Sequence, residues 1–389
     1  MKKSKSSKMD NVIPYIKKQL SPTKIAAAVV VIVILIICLI NAYSANMAYT
    51  SYDILRSVTR EDGDSASYLE YGDGYVRYSD DGIAYYKNDG TAVWNHTYEI
   101  SNAQVRICED YIVVGNITGR TLYVYNRSGL KSEIDAAMTV TQVDVAKQGV
   151  TAVSLEDGNT NYINMYDSAG TKLSYIITTL NGDGYPLDMA LSDDGSKLAV
   201  SYVSVNGETL QSNVAFYNFS DVGQNAVDRL VGGFNHYESS VVGKVEFVDN
   251  NTVIAVAEDR VSFYKISQYP ELKEEITFTD ELQKITYNED YIGLIFNNAD
   301  SVDKYKMLIY NMKGQKVSEL FFSEEYRNFE FHEENLLLYN EKVFTLMSIK
   351  GKIKYQDNFD MTIEKIIPLD SGQRFLVFNS KYIQEIKLN

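Results

Sequence analysis

The chain has 389 residues, 45% of them hydrophobic, and a formal net charge of −15. That length suits one large domain with an appendage, and the apolar share is enough for a substantial core. An acidic body lacks the basic face that nucleic-acid binding needs, so no nucleic-acid partner is expected.

Charge is unevenly placed. Residues 1–24 hold seven Lys and one acid, Asp10, a balance of +6 that leaves −21 on the rest. Val12, Ile13, Tyr15, Ile16 and Leu20 interleave with Lys17 and Lys18, although Pro14 interrupts an interfacial helix there. Ser21-Pro22 reads as a helix start, with Ser as N-cap and Pro in the first turn. Ile25 to Ile40 then runs without one strongly polar side chain. Continued to Tyr43, the run is nineteen residues or about 28 Å, enough to cross a bilayer core. Its length exceeds a signal-peptide core, and Ala42-Tyr43-Ser44 is a poor cleavage site, so an uncleaved anchor is expected. Ile37 stands where a lipoprotein signal needs a small residue before Cys38. The Lys bias places the N-terminal tail in the cytoplasm and the body outside the membrane.

Residues 44–65 link anchor to body, and Ser51 to Val58 (SYDILRSV) can form one strand. From residue 66 onward short β-formers alternate with Gly, Asn and Asp turns. Leu122-Tyr123-Val124-Tyr125-Asn126-Arg127-Ser128-Gly129 shows the unit: a strand ending on an aromatic, with Gly four residues later. Tyr86…Gly90, Tyr166…Gly170 and Tyr310…Gly314 repeat it, and Met347…Gly351 repeats it without the aromatic. Tyr217, Tyr264 and Ile386 mark looser copies. Successive anchors lie 39, 41, 51, 47, 46, 37 and 39 residues apart. A period of this size built from strands predicts an all-β propeller.

With each anchor on a third strand, blades fall at 66–98, 103–136, 139–178, 186–231, 242–278, 281–321 and 327–357. An eighth group, 362–386, has three strands only. An open blade would expose a long strand edge, so 51–58 is expected to supply its fourth strand. Eight four-stranded blades follow, with seven as the alternative. Two stretches exceed what a blade needs: the hairpin Val205-Asn206-Gly207-Glu208-Thr209, and a loop expected at Gly232-Gly233-Phe234-Asn235-His236-Tyr237. Phe234, His236 and Tyr237 are the candidate partner-binding residues, because aromatics on an exposed loop make good anchors.

Leu191-Ser192-Asp193-Asp194-Gly195-Ser196-Lys197-Leu198-Ala199 resembles the inner hairpin of WD40-like and Tol-type propellers. Asn88-Asp89-Gly90-Thr91-Ala92-Val93-Trp94 is similar to the repeat of quinoprotein-like propellers. Both motifs specify fold, through Asp-Gly turns, and leave activity unspecified. With the single anchor and two cysteines, the chain resembles an uncharacterised family of membrane-anchored propellers from Gram-positive bacteria.

Catalytic signals are thin. Trp94 is the sole Trp, whereas quinoprotein dehydrogenases dock a Trp in most blades, and the repeated sialidase turn is missing. His96, His236 and His332 stand apart in sequence, so no metal is assigned. Asn181-Gly182-Asp183-Gly184 lacks the further acids of a calcium loop. Cys108 reads as a quiet strand residue, and Cys38 cannot pair with it. The expectation is a non-enzymatic scaffold or sensor for an envelope protein, without a cofactor. The alternative is an enzyme or a small-molecule or carbohydrate-binding protein with its site at the propeller axis.

Overall fold

The computed structural model describes residues 26–36, 48–60, 66–298, 302–370 and 372–389, and divides into two units, residues 1–50 and 51–389. In the first unit residues 26–36 are helical, and every one of these apolar residues is exposed. Among the described residues no helix is long and apolar enough to cross a membrane. The rest of the expected Ile25–Tyr43 span, the Lys-rich tail and Cys38 lie outside the described residues.

In the second unit, β1 (Tyr52–Thr59) and thirty-one further strands form eight antiparallel sheets of four. The eight-blade expectation holds and the seven-blade alternative falls. Blades 1 to 7 are β2–β5 (residues 67–97), β6–β9 (103–135), β10–β13 (139–179), β14–β17 (185–237), β18–β21 (242–277), β22–β25 (282–322) and β26–β29 (328–358). Blade 8 is β30–β32 (363–388) with β1 as its outer strand.

Stacking blades face to face buries both faces of the middle strands. β19 (Thr252–Ala257) is buried at every position, whereas the outer strand β13 (Lys172–Thr179) alternates buried and exposed in its second half. The core is therefore a series of blade-to-blade interfaces. In one of them Val214, Phe216 and Tyr237 of blade 4 pack against Val242, Val253 and Tyr264 of blade 5. The repeat anchors fill these interfaces, and the hydroxyls of Tyr125, Tyr217 and Tyr264 find partners as buried Tyr requires. Tyr125 OH bonds His96 Nδ1 at 2.8 Å, Tyr217 OH bonds Tyr202 OH at 2.9 Å, and Tyr264 OH bonds Tyr237 OH at 2.6 Å. Trp94 stacks on Tyr125 across the interface of blades 1 and 2. The glycine four residues on has a geometric reason too. Gly90, Gly129, Gly170, Gly314 and Gly351 all have φ between 73° and 104°, a backbone region costly for other residues.

Ring closure is as expected. β1 pairs with β32 (Tyr382–Leu388), so the two ends of the propeller complete one blade. Arg56 and Arg60 of the β1 segment ion-pair with Glu385 and Glu364, and Arg60 Nη1 donates to Asn379 O at 2.6 Å.

One expected loop is a strand. Gly232 to Tyr237 belong to β17 (Leu230–Tyr237), the outer strand of blade 4, which therefore runs six residues beyond the expected end at 231. A Cβ at Gly232 would lie 2.6 Å from Pro270 Cγ of blade 5. Its glycine thus serves close packing between blades. The other surplus stretch is a true extension: β15 (Lys197–Asn206) and β16 (Thr209–Asn218) are ten residues each.

Candidate functional site

The innermost strands ring the axis, and each contributes one or two polar side chains. β6 (Ala103–Cys108) brings Arg106, β10 (Thr139–Val145) Asp144, and β14 (Tyr185–Leu191) Asp188. β18 (Val242–Asp249) brings Lys244 and Glu246, and β22 (Leu282–Tyr287) brings Tyr287. These groups clasp successive blades. The Val143 N–H donates to Gln104 Oε1 at 2.7 Å, joining blade 3 to blade 2. The Leu191 N–H donates to Asp144 Oδ2 at 2.7 Å, and the Val245 N–H donates to Asp188 Oδ2 at 2.8 Å. Lys244 Nζ lies 3.3 Å from Asp188 Oδ2 and 2.7 Å from Glu246 Oε2. Tyr287 OH donates to the same Glu246 oxygen at 2.7 Å.

Burial governs the protonation of this group. Burial, with Glu246 repulsion second, pushes Asp144 up to about 7, opposed by the Leu191 N–H and Arg106. Asp188 is also raised by burial, but Lys244 and the Val245 N–H oppose the rise. Burial works against the Lys244 charge, yet Glu246 and Asp188 outweigh it and raise its pKa.

A second polar group surrounds the axis at blades 1, 7 and 8. Lys365 Nζ meets Glu330 Oε1 at 2.7 Å, and Tyr339 OH donates to the same oxygen at 2.6 Å. Burial raises Glu70 nearby, while His332 and Lys365 hold it down. Asp188, Glu246 and Glu330 are thus committed to lysines, and Asp144 to backbone N–H groups. Among the described residues no three His, Cys, Asp or Glu side chains are grouped as metal ligands.

The end of the ring where first strands begin carries the other candidate surface. The β15–β16 extension rises there, and its directly paired Val205 and Leu210 are 73% and 50% exposed. At the same end a cleft of about 320 Å³ opens between blades 5 and 6. Val241, Val256, Ala257, Leu282 and Ile285 form its apolar wall, with Lys244 on the axial side.

The residues singled out from sequence take other places. Phe234 packs on the blade 4–5 core beside Tyr264, ring centroids 4.7 Å apart, and Tyr237 is fully buried. His236 bonds Glu275 across to blade 5 at 2.8 Å. These three residues hold the two blades together and offer no exposed aromatic loop. His96 and His332 lie on blades 1 and 7, the latter against Asp370 O at 2.8 Å. Asp183 folds back on the Thr179 N–H at 2.9 Å and closes its own turn. Cys108 is half-buried, and burial, with Asp193 and Asp144 beside it, pushes its thiol up to about 12.

Comparison with known proteins then places the chain. A family of unknown function, DUF5711, matches residues 45–388. The chain belongs to that DUF5711 family. No curated protein matches it. Among solved structures it is similar to BamB from Moraxella catarrhalis, at 12% identity and a TM-score of 0.56, over 87% of this chain and 100% of that one. A eukaryotic initiation factor shares 10% identity at 0.54, covering 86% and 91%. Sqt1 of Chaetomium thermophilum, bound to the N-terminus of ribosomal protein L10, shares 10% at 0.53, covering 83% and 92%. At such identities the likeness shows the propeller fold alone.

Proposed function

We propose that the chain is a membrane-anchored, extracytoplasmic propeller that docks a protein of the cell envelope and is not itself an enzyme. The observation that carries this reading is the blade 4 hairpin extension. It lifts an exposed apolar pair, Val205 and Leu210, at the end of the ring where the blade 5–6 cleft opens. Paired hydrophobic side chains held out on a strand extension gain apolar cover when a partner docks on them. The anchor part of the reading rests on the apolar run 25–43, of which 26–36 is a helix with every side chain exposed, and on the Lys cluster before it. The fold suits such a role, since Sqt1 is a propeller solved with a protein segment bound.

Membrane fractions expressing tagged wild type and the double variant Val205→Asp/Leu210→Asp provide the test. Wild type is expected to co-purify an envelope protein that the variant loses, with both folding equally. Equal recovery would remove the hairpin from the account.

The axial cluster supports a second reading, a small-molecule site at the propeller axis, because blades 2 to 5 converge charged groups there and blade 6 adds the Tyr287 hydroxyl. A ligand or substrate whose binding is abolished by Lys244→Met, with the hairpin intact, would favour it.

A further inference from the structure

Asp144 differs from the other carboxylates at its end of the axis. Asp188 and Glu246 share Lys244, and Glu246 also receives Tyr287 OH. Among the described residues no cation forms an ion pair with Asp144, whose contacts are the N–H groups of Leu191 and its own neighbour Val145. Every element around it has titratable or charged groups facing it. β6 presents Arg106 and Cys108, β14 presents Asp188 with Asp193 just beyond, and across the axis stand Glu246, Lys244 and Tyr287. Three strand carboxylates, Asp144, Asp188 and Glu246, thus face two cations, Lys244 and Arg106. The cluster carries one negative charge too many, and that excess falls on the carboxylate that also fastens blade 3 to the backbone of blade 4.

We propose that this cluster is a proton-operated fastening. Asp144 binds a proton in the folded ring, and loss of that proton loosens the joint between blades 3 and 4. The device stands independently of any docking partner. With the proton bound, Asp144 is neutral beside Glu246 and still accepts the Leu191 N–H. With the proton gone, Asp144 is repelled by the partly exposed Glu246, and the cost of desolvating its own charge is added.

The sign follows from where the proton is held. An unfolded Asp titrates near 3.9, whereas burial and Glu246 push Asp144 up to about 7. Between these limits the folded chain binds more protons than the unfolded one. Stability contributed by Asp144 is therefore full below about 4, falls as pH rises towards 7, and stays low above it.

The test uses the full chain in detergent, unfolded by denaturant from pH 4.5 to 8.5, alongside Asp144→Asn and Glu246→Gln. Asparagine keeps the acceptor for the Leu191 N–H but cannot titrate. The folded-to-unfolded ratio of wild type, relative to Asp144→Asn, is expected to fall by at least about tenfold across the window. Hydrogen exchange of β14 should speed up over the same range in wild type relative to Asp144→Asn. Glu246→Gln removes the opposing charge, so its fall should end at lower pH. Parallel profiles for wild type and Asp144→Asn would overturn the proposal. If Asp144→Asn fails to fold, an unmoved fall in Glu246→Gln would overturn it equally.

Discussion

Ile54 stands directly opposite Ile386 in the β1–β32 ladder, so the first strand of the propeller and its last meet in one blade. The two residues are not energetic equals. Ile386 is fully buried, whereas Ile54 is 51% exposed. β1 seals the edge mainly through its backbone ladder and through Arg56 and Arg60, while β32 supplies the apolar core.

Closure should therefore fail from the C-terminal side first. Ile386→Ala is expected to cost about 2–5 kcal/mol, and deletion of residues 380–389 to give insoluble protein. Ile54→Ala should cost under about 1 kcal/mol. Denaturant midpoints check the order, and equal costs at both positions would contradict this division of labour.

Tyr237 gives a second expectation. Its ring is enclosed between blades 4 and 5, and its hydroxyl meets Tyr264 OH. Tyr237→Ala should lower stability by about 3–5 kcal/mol, through the cavity and an orphaned hydroxyl. Phe234→Ala should cost less, because Phe234 is only partly buried. Any loss of partner binding in Tyr237→Ala should track its unfolding, which thermal melts of the same samples will show.

The Asp194 turn supports a third. Its Oδ1 accepts from Ser192 Oγ at 2.8 Å, the Ser196 N–H at 2.9 Å and Ser196 Oγ at 2.6 Å. Burial works against its charge, but these donors outweigh it and hold the carboxyl below its usual range. Asp194→Ala should cost about 1–2 kcal/mol at pH 7. That difference should persist above about 4 and shrink as pH falls through the lowered folded pKa. Stability curves of the two proteins at pH 7 and pH 3 check it.

Cys108 is expected to be inert. With the thiol pushed up to about 12, only about one molecule in ten thousand is thiolate at pH 8. Iodoacetamide should label it at least about a hundredfold more slowly in the folded than in the unfolded chain. Mass analysis of the peptide containing Cys108 reads this directly.

The ring was legible because its cause is local and repeated. Each anchor such as Tyr125 or Tyr264 and each left-handed glycine such as Gly129 or Gly314 does the same task in its own blade. Closure was legible too, since three strands after residue 362 left an edge that only residues 51–58 could fill. The axial cluster was not. Arg106, Asp144, Asp188 and Glu246 come from four separate blades, tens of residues apart, and only ring geometry assembles them. Gly232-Gly233-Phe234-Asn235-His236-Tyr237 misled for a local reason. Glycine, Asn and His read as loop, yet Gly232 is set by Pro270 of the next blade and Tyr237 by Tyr264.

Docking of an envelope protein on the blade 4 hairpin is tested most directly by a photo-crosslinking residue placed at position 205 in living cells. The same residue at position 271, on the outer strand β21 (Pro270–Thr277), is the control. The account predicts one adduct of defined mass from position 205 and none from 271. No adduct from 205, or the same adducts from both positions, would contradict it.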